Sequence, residues 1–200
     1  MNHAETINAP FHLPFFSVII TSYNRAHLLT RALRSLILQT EKDWEAIIID
    51  DGSTDNTLSA ITPYLALNHK IVYIRQASKG CVESKNSGIL RSTGKYITFL
   101  DSDDEFGTDH LATRKAILTQ NTAIDFLHGG VKIIGSPYVP DRFNYSKMIH
   151  LLDCAIGGTF FIERKLAFRL KGFNPISLGH DADFMERAAG LDATIFKTEL

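Results

Sequence analysis

Short apolar runs alternate with stretches of helical periodicity through the first half of the chain. Residues 15–20 are a β-branched and aromatic run, the mark of a strand covered on both faces. Over 26–39, Leu29, Leu33, Leu36 and Ile37 recur at helical spacing while Arg25, Arg31 and Arg34 fall elsewhere, and Asn24 is the expected N-cap. A second strand is predicted at 44–49, followed by a helix that Ser53 or Thr54 caps and that runs to about residue 67. A third strand follows at 71–74, then a helix over 82–91 that Gly94 closes in the left-handed conformation, then a fourth strand at 96–100. Strand and helix in strict order predict right-handed crossovers and a mostly parallel, three-layer α/β/α sheet.

The second half is less regular. A helix is expected over 110–120 behind a Thr108 cap, one or two strands within 124–134, and a loop over 135–145, which holds Pro137 and Pro140. The Gly157-Gly158 pair leads into another strand, and the chain stops within or just after a last one. Residues 1–14 are polar, carry two prolines and read as a tail. Residues 15–200 are then expected to form one domain, 15–107 as its nucleotide-binding half and 108–200 as its acceptor-side half, with a truncation at the C-terminus as one expectation and a complete second half as the other.

Composition narrows the classes. With 44% hydrophobic and 22% charged residues in 200, the chain is an ordinary globular one with a substantial core. A net charge of -1 gives no footprint for nucleic acid. Cys81 and Cys154 show neither zinc-ligand spacing nor a disulfide framework, so a reduced, cytoplasmic chain is expected. No apolar run approaches the roughly eighteen residues of a membrane span, so work on lipid-linked substrates would be done as a visitor to the inner face of the membrane.

The strand ends carry the chemistry. Four carboxylates crowd the five residues Asp101-Ser102-Asp103-Asp104-Glu105, a cluster that repels itself without a cation. Residues two apart on an extended backbone face the same way, so Asp101 and Asp103 can share a hard ion such as Mg²⁺ or Mn²⁺, with substrate phosphates completing its shell. A solvated acidic turn, with Asp104 or Asp109 serving the next helix, is the alternative. In a parallel sheet, ligands bind beyond the carboxyl ends of the strands, where 21–25, 50–51 and 101–103 would converge. The first turn has no glycine, which excludes a dinucleotide fingerprint and a P-loop.

Three ordered motifs, 17–25 (SVIITSYNR), 50–55 (DDGSTD) and 99–104 (FLDSDD), resemble those of the family 2 glycosyltransferases, and the resemblance covers roughly 15–189. It implies the GT-A fold and an inverting EC 2.4 enzyme that takes a nucleotide-diphosphate sugar, usually a UDP-sugar, with Mg²⁺ or Mn²⁺. The partner is then a glycan or lipid-linked hydroxyl acceptor, as in polysaccharide or cell-surface glycan synthesis. By the same resemblance Thr21, Tyr23 and Arg25 belong to the donor loop, with Tyr23 against the base, and Asp51, with Asp50 beside it, hydrogen-bonds that base. Lys85, followed by Asn86, stands where the family often has arginine and implies a place near the nucleotide. Asp101 and Ser102 would face the ribose and metal region, and Asp103 the metal. Tyr23 read as packing and Lys85 as a solvated helix residue remain equal alternatives.

The family usually has Glu-Asp at the start of a late helix, with the Asp as general base; this chain has His180-Asp181. Asp181 is the implied base, or else a plain helix cap. Two other classes compete: a non-catalytic sugar-nucleotide-binding domain, and a nucleotidyltransferase, whose expected glycine-rich first loop is missing.

Overall fold

The computed structural model describes residues 12–199, so most of the expected N-terminal tail lies outside the described residues. The strands are β1 Phe16–Ser22, β2 Trp44–Asp50, β3 Ile71–Arg75, β4 Tyr96–Phe99, β5 Phe126–Gly129, β6 Tyr138–Pro140, β7 Met148–His150, β8 Phe161–Glu163 and β9 Ile195–Thr198. The helices are α1 Ala26–Ile37, α2 Thr57–Leu67, α3 Cys81–Arg91, α4 His110–Gln120, α5 Arg164–Arg169 and α6 His180–Ala189. Seven strands form one sheet in the order β3-β2-β1-β4-β8-β5-β9, and β6 pairs with β7 as a separate hairpin. All pairs in the large sheet are parallel except those of β8, which runs against both β4 and β5.

The alternation along β1 explains the layers. Phe16, Val18 and Ile20 enter one core with Leu29, Leu33 and Leu36 of α1 and Leu111 and Leu118 of α4. Ile19 enters the opposite core with Ile89 of α3, Leu166 of α5 and Phe184 of α6. Fully burying each such side chain is worth about 1.5–3 kcal/mol, enough to fix the register of the central strand. Ser22 pairs with Asp50 and Asp50 with Arg75, so β1, β2 and β3 end level, and Asp101 emerges one residue beyond Leu100, whose N–H donates to the Ile19 carbonyl at 3.0 Å.

Several local expectations change. Asn24 does not cap α1: it takes a left-handed φ of 52°, and its Oδ1 accepts from the N–H groups of Thr54 at 2.7 Å and Asp55 at 3.2 Å. Asp55 serves both helix starts instead, accepting from Ala26 N–H at 3.1 Å and Thr57 N–H at 3.0 Å, so neither Ser53 nor Thr54 is the cap. The Thr57 hydroxyl, which also donates to Asp55, and after it these two N–H groups hold the Asp55 carboxyl below the usual range. Gly94 is not a left-handed helix end: α3 ends at an extended Ser92, and a Cβ on Gly94 would meet Ser17 N at 2.7 Å, so glycine is needed for close approach to β1. Asp109, not Thr108, precedes α4. The stretch 124–134 yields only β5, and the prolines of 137–140 flank or join a hairpin strand rather than a plain loop. The glycine pair lies within a one-turn 3-10 helix, Gly157–Thr159, and only Phe160 stands between that helix and β8.

Candidate functional site

The loops after β1, β2 and β4 and the first turns of α3 and α6 enclose a cleft of about 570 Å³. Thr21, Tyr23, Arg25, Asp51, Lys85, Asp101, Ser102, Asp103 and Asp181 all line it, although 160 residues separate the first from the last. Asp50 does not. Its carboxylate accepts from Ser53 N–H at 2.7 Å and from the Tyr73 hydroxyl, so it braces the turn beneath the cleft. Sequence reading did not single out Ser78, Cys81 and Ser84, which also line the wall; they sit on a loop and helix start that no motif marks.

At one end, Asp51 is buried and its two oxygens are filled by neutral donors. Oδ1 accepts from Gln76 Nε2 at 2.8 Å and Lys79 N–H at 2.9 Å, and Oδ2 from Gly80 N–H at 2.8 Å and Ser78 Oγ at 3.1 Å. Burial works against its charge, but these four bonds outweigh it and hold the carboxyl below its ordinary value. Tyr23, half exposed, flanks the opening.

At the other end, charges share one cation. Lys85 is only 3% exposed, which rules out the solvated-helix reading; its ammonium lies 5.6 Å from the Phe99 ring centroid and 5.4 Å from that of Phe173. Its Nζ is 3.4 Å from Asp181 Oδ1 and 3.5 Å from His180 Nε2. Burial disfavours the ammonium, yet Asp181 and Asp101 more than offset this and raise its pKa. Asp101 is pushed up by burial and by Asp181 and Asp103, with Lys85 opposing. His180 is pushed down mainly by burial, and its Nδ1 is buried with no hydrogen-bond partner among the described residues.

Asp181 does not cap its own helix through its side chain. Its Oδ2 reaches back to accept the Gly157 N–H at 2.9 Å. A Cβ on Gly157 would stand 2.6 Å from Asp181 Oδ1, so the glycine is what lets the carboxylate close on the backbone. Asn86, next to Lys85, is a strut: its Oδ1 accepts Phe173 N–H at 2.8 Å and its Nδ2 donates to the Phe173 carbonyl at 2.9 Å, fixing the segment that leads into α6.

Asp103, on the outer lip, pairs with Arg25 at 2.7 Å. Arg31 donates to the Asp103 carbonyl and pairs with Glu105 at 2.9 Å. Among the described residues no three metal-ligating side chains gather at one point. Asp101 and Asp103 nonetheless face one cleft that holds more carboxylates than cations, and both offer hard oxygen donors, so the pair would suit a divalent ion that drew further oxygen ligands from a phosphate group.

Comparisons with known proteins define first the class and then the family. The solved structure of S. aureus TarS 1–349 in complex with UDP superposes with a TM-score of 0.76 at 21% identity, over 92% of this chain and 57% of that one. The mannosyltransferase PcManGT from Pyrobaculum calidifontis, in complex with GDP-Man and Mn²⁺, gives 0.75 at 19% identity, over 94% and 56%. The fold is therefore that of the GT-A glycosyltransferases. Residues 17–167 match the model of glycosyl transferase family 2, and the chain belongs to that family. WfgD of Escherichia coli, a UDP-Glc:alpha-D-GlcNAc-diphosphoundecaprenol beta-1,3-glucosyltransferase, is 30% identical over 157 residues, 75% of this chain and 60% of WfgD. The chain thus spans somewhat more than half the length of each of these three proteins.

Proposed function

We propose that the chain transfers a sugar from a nucleotide diphosphate, a UDP-sugar in the first instance, to a hydroxyl acceptor with inversion at the anomeric carbon. The observation that carries this reading is the convergence of Asp51, Asp101, Asp103 and Asp181 on one cleft from three separate segments, the loops after β2 and β4 and the start of α6. Asp51 and the loop it orders form the end for the nucleoside, with Thr21 and Tyr23 lining the same cleft. Asp101 and Asp103 are the residues that would hold Mg²⁺ or Mn²⁺, which when bound supplies positive charge to the departing diphosphate.

Asp181 takes the acceptor's proton. Its Gly157 and Lys85 contacts fix the carboxylate's orientation, and orientation of one base against one hydroxyl is what the displacement requires. The adjacent Lys85 ammonium, 3.4 Å from Asp181 Oδ1, offsets part of the repulsion between Asp181 and Asp101. The acceptor we assign is a lipid-linked glycan of the kind named for WfgD, met at the inner face of the membrane; no described helix is long and apolar enough to cross one.

Thermal shift tests the reading. UDP should stabilise the protein weakly alone and clearly with Mn²⁺, since a ligand present at a hundred times its Kd adds about 2.7 kcal/mol. Equal shifts with and without the ion would remove Asp101 and Asp103 from the metal role. A wild-type chain that binds UDP and Mn²⁺ but transfers to no acceptor would be a binding module.

A further inference from the structure

The two carboxylates assigned to the ion have very different protein cations beside them. Asp101 faces Lys85, which is buried, packed between two aromatic rings and unable to leave without unpacking the core. Asp103 faces Arg25, and both members of that pair are about half exposed, with side-chain accessibilities of 46% and 48%. The Asp103 loop does not depend on Arg25 for its position, because Arg31 holds the Asp103 carbonyl and the Glu105 carboxylate from the other side. Arg25 itself lies on the cleft wall, at the mouth that a diphosphate would enter.

We propose that Arg25 is a counter-ion switch: it neutralises Asp103 while the cleft is empty and releases it only to a divalent cation that arrives with a diphosphate, whose charge Arg25 then meets. A free cation must displace the guanidinium and leave it unpaired. A cation with a diphosphate replaces one partner for Asp103 and supplies another for Arg25, so both charges remain compensated. Metal and nucleotide then bind with positive coupling, and by linkage each strengthens the other by the same factor. The inference rests on the nucleotide-sugar reading above.

The test is calorimetric titration of the full chain with MnCl₂ alone, UDP alone, and UDP at saturating Mn²⁺, for wild type, Arg25→Gln and Arg25→Lys. Removing an exposed ion pair of this kind changes binding by roughly two- to fivefold. Arg25→Gln is expected to bind Mn²⁺ alone that much tighter and UDP–Mn²⁺ more weakly, so the ratio of UDP affinities with and without metal falls; Arg25→Lys restores part of it. Mn²⁺ binding to Arg25→Gln no tighter than to wild type, or an unchanged ratio, overturns the switch while leaving the nucleotide reading intact. Wild-type protein that binds no UDP at any Mn²⁺ concentration overturns both. Circular dichroism of each variant confirms that the fold is retained.

Discussion

The two ends of the cleft hold carboxylates in opposite ways. Asp51 is satisfied by two side-chain and two backbone donors, all neutral, so its charge is settled before any ligand arrives. Asp101 and Asp181 instead crowd one ammonium, with Asp103 adding to the repulsion, and burial pushes the Asp101 carboxyl up. Neutral donors orient a group and fix a loop. Like charges around one cation leave a local excess of negative potential in a low-dielectric setting, which favours binding of a further cation. One end is thus built to be rigid when empty and the other to be completed.

The largest break in this comparison should come from Asp181→Asn. The amide keeps the size of the side chain and an oxygen for the Gly157 N–H, but no longer accepts a proton. Sugar transfer is expected to fall by about 10² to 10⁴, with UDP–Mn²⁺ affinity changed only a few-fold. Retention of full transfer, measured with the same donor and acceptor, would make the charge-rich end a binding feature alone. At the other end, Asp51→Ala strips four donors of their acceptor and frees the 78–80 loop. A loss of about 1–3 kcal/mol is expected, read as a rise of roughly fivefold to 150-fold in the Kd for UDP with Mn²⁺ saturating. An unchanged Kd would confine Asp51 to shaping the loop.

Much of the first region is legible from short windows of sequence. The runs at 15–20 and 44–49 are central parallel strands, and central strands announce themselves because both faces are buried. The helix caps were misread because they are not local: Asp55 serves α1 from the next crossover, and Asn24 is spent on the 54–55 turn. The second region was harder for the same reason. β8 has three residues and runs against its neighbours, and the reach of Asp181 to Gly157 spans 24 residues that carry no periodic signal. Lys85 illustrates the limit. Nothing in its helical window distinguishes a solvated lysine from one buried beside Phe99 and Phe173, which come from distant segments.

Acid offers a sharper comparison, provided the cleft is separated from the rest of the core. His110, at the start of α4, stacks on Phe106 at 4.3 Å between ring centroids and sits 5.4 Å from Phe161, away from the cleft wall. Burial, aided by Arg114, lowers its pKa to about 3. The folded protein therefore keeps this ring neutral where the unfolded chain, with a histidine near 6.5, takes up a proton. Below pH 6.5 the unfolded state binds more protons, so stability is lost as the pH falls from there towards 3 and is fully present above it. At pH 5 the loss is at most about 2 kcal/mol and at pH 7.5 it vanishes, which makes it the smallest effect under assay conditions. His110→Phe should flatten the fall of Tm between pH 7 and 5 while leaving UDP–Mn²⁺ affinity at neutral pH unchanged. If the variant's Tm falls as steeply as that of wild type, the acid sensitivity belongs to other groups, with Asp51 and Asp55, whose carboxyls are held below the usual range in the fold, the first to be tested.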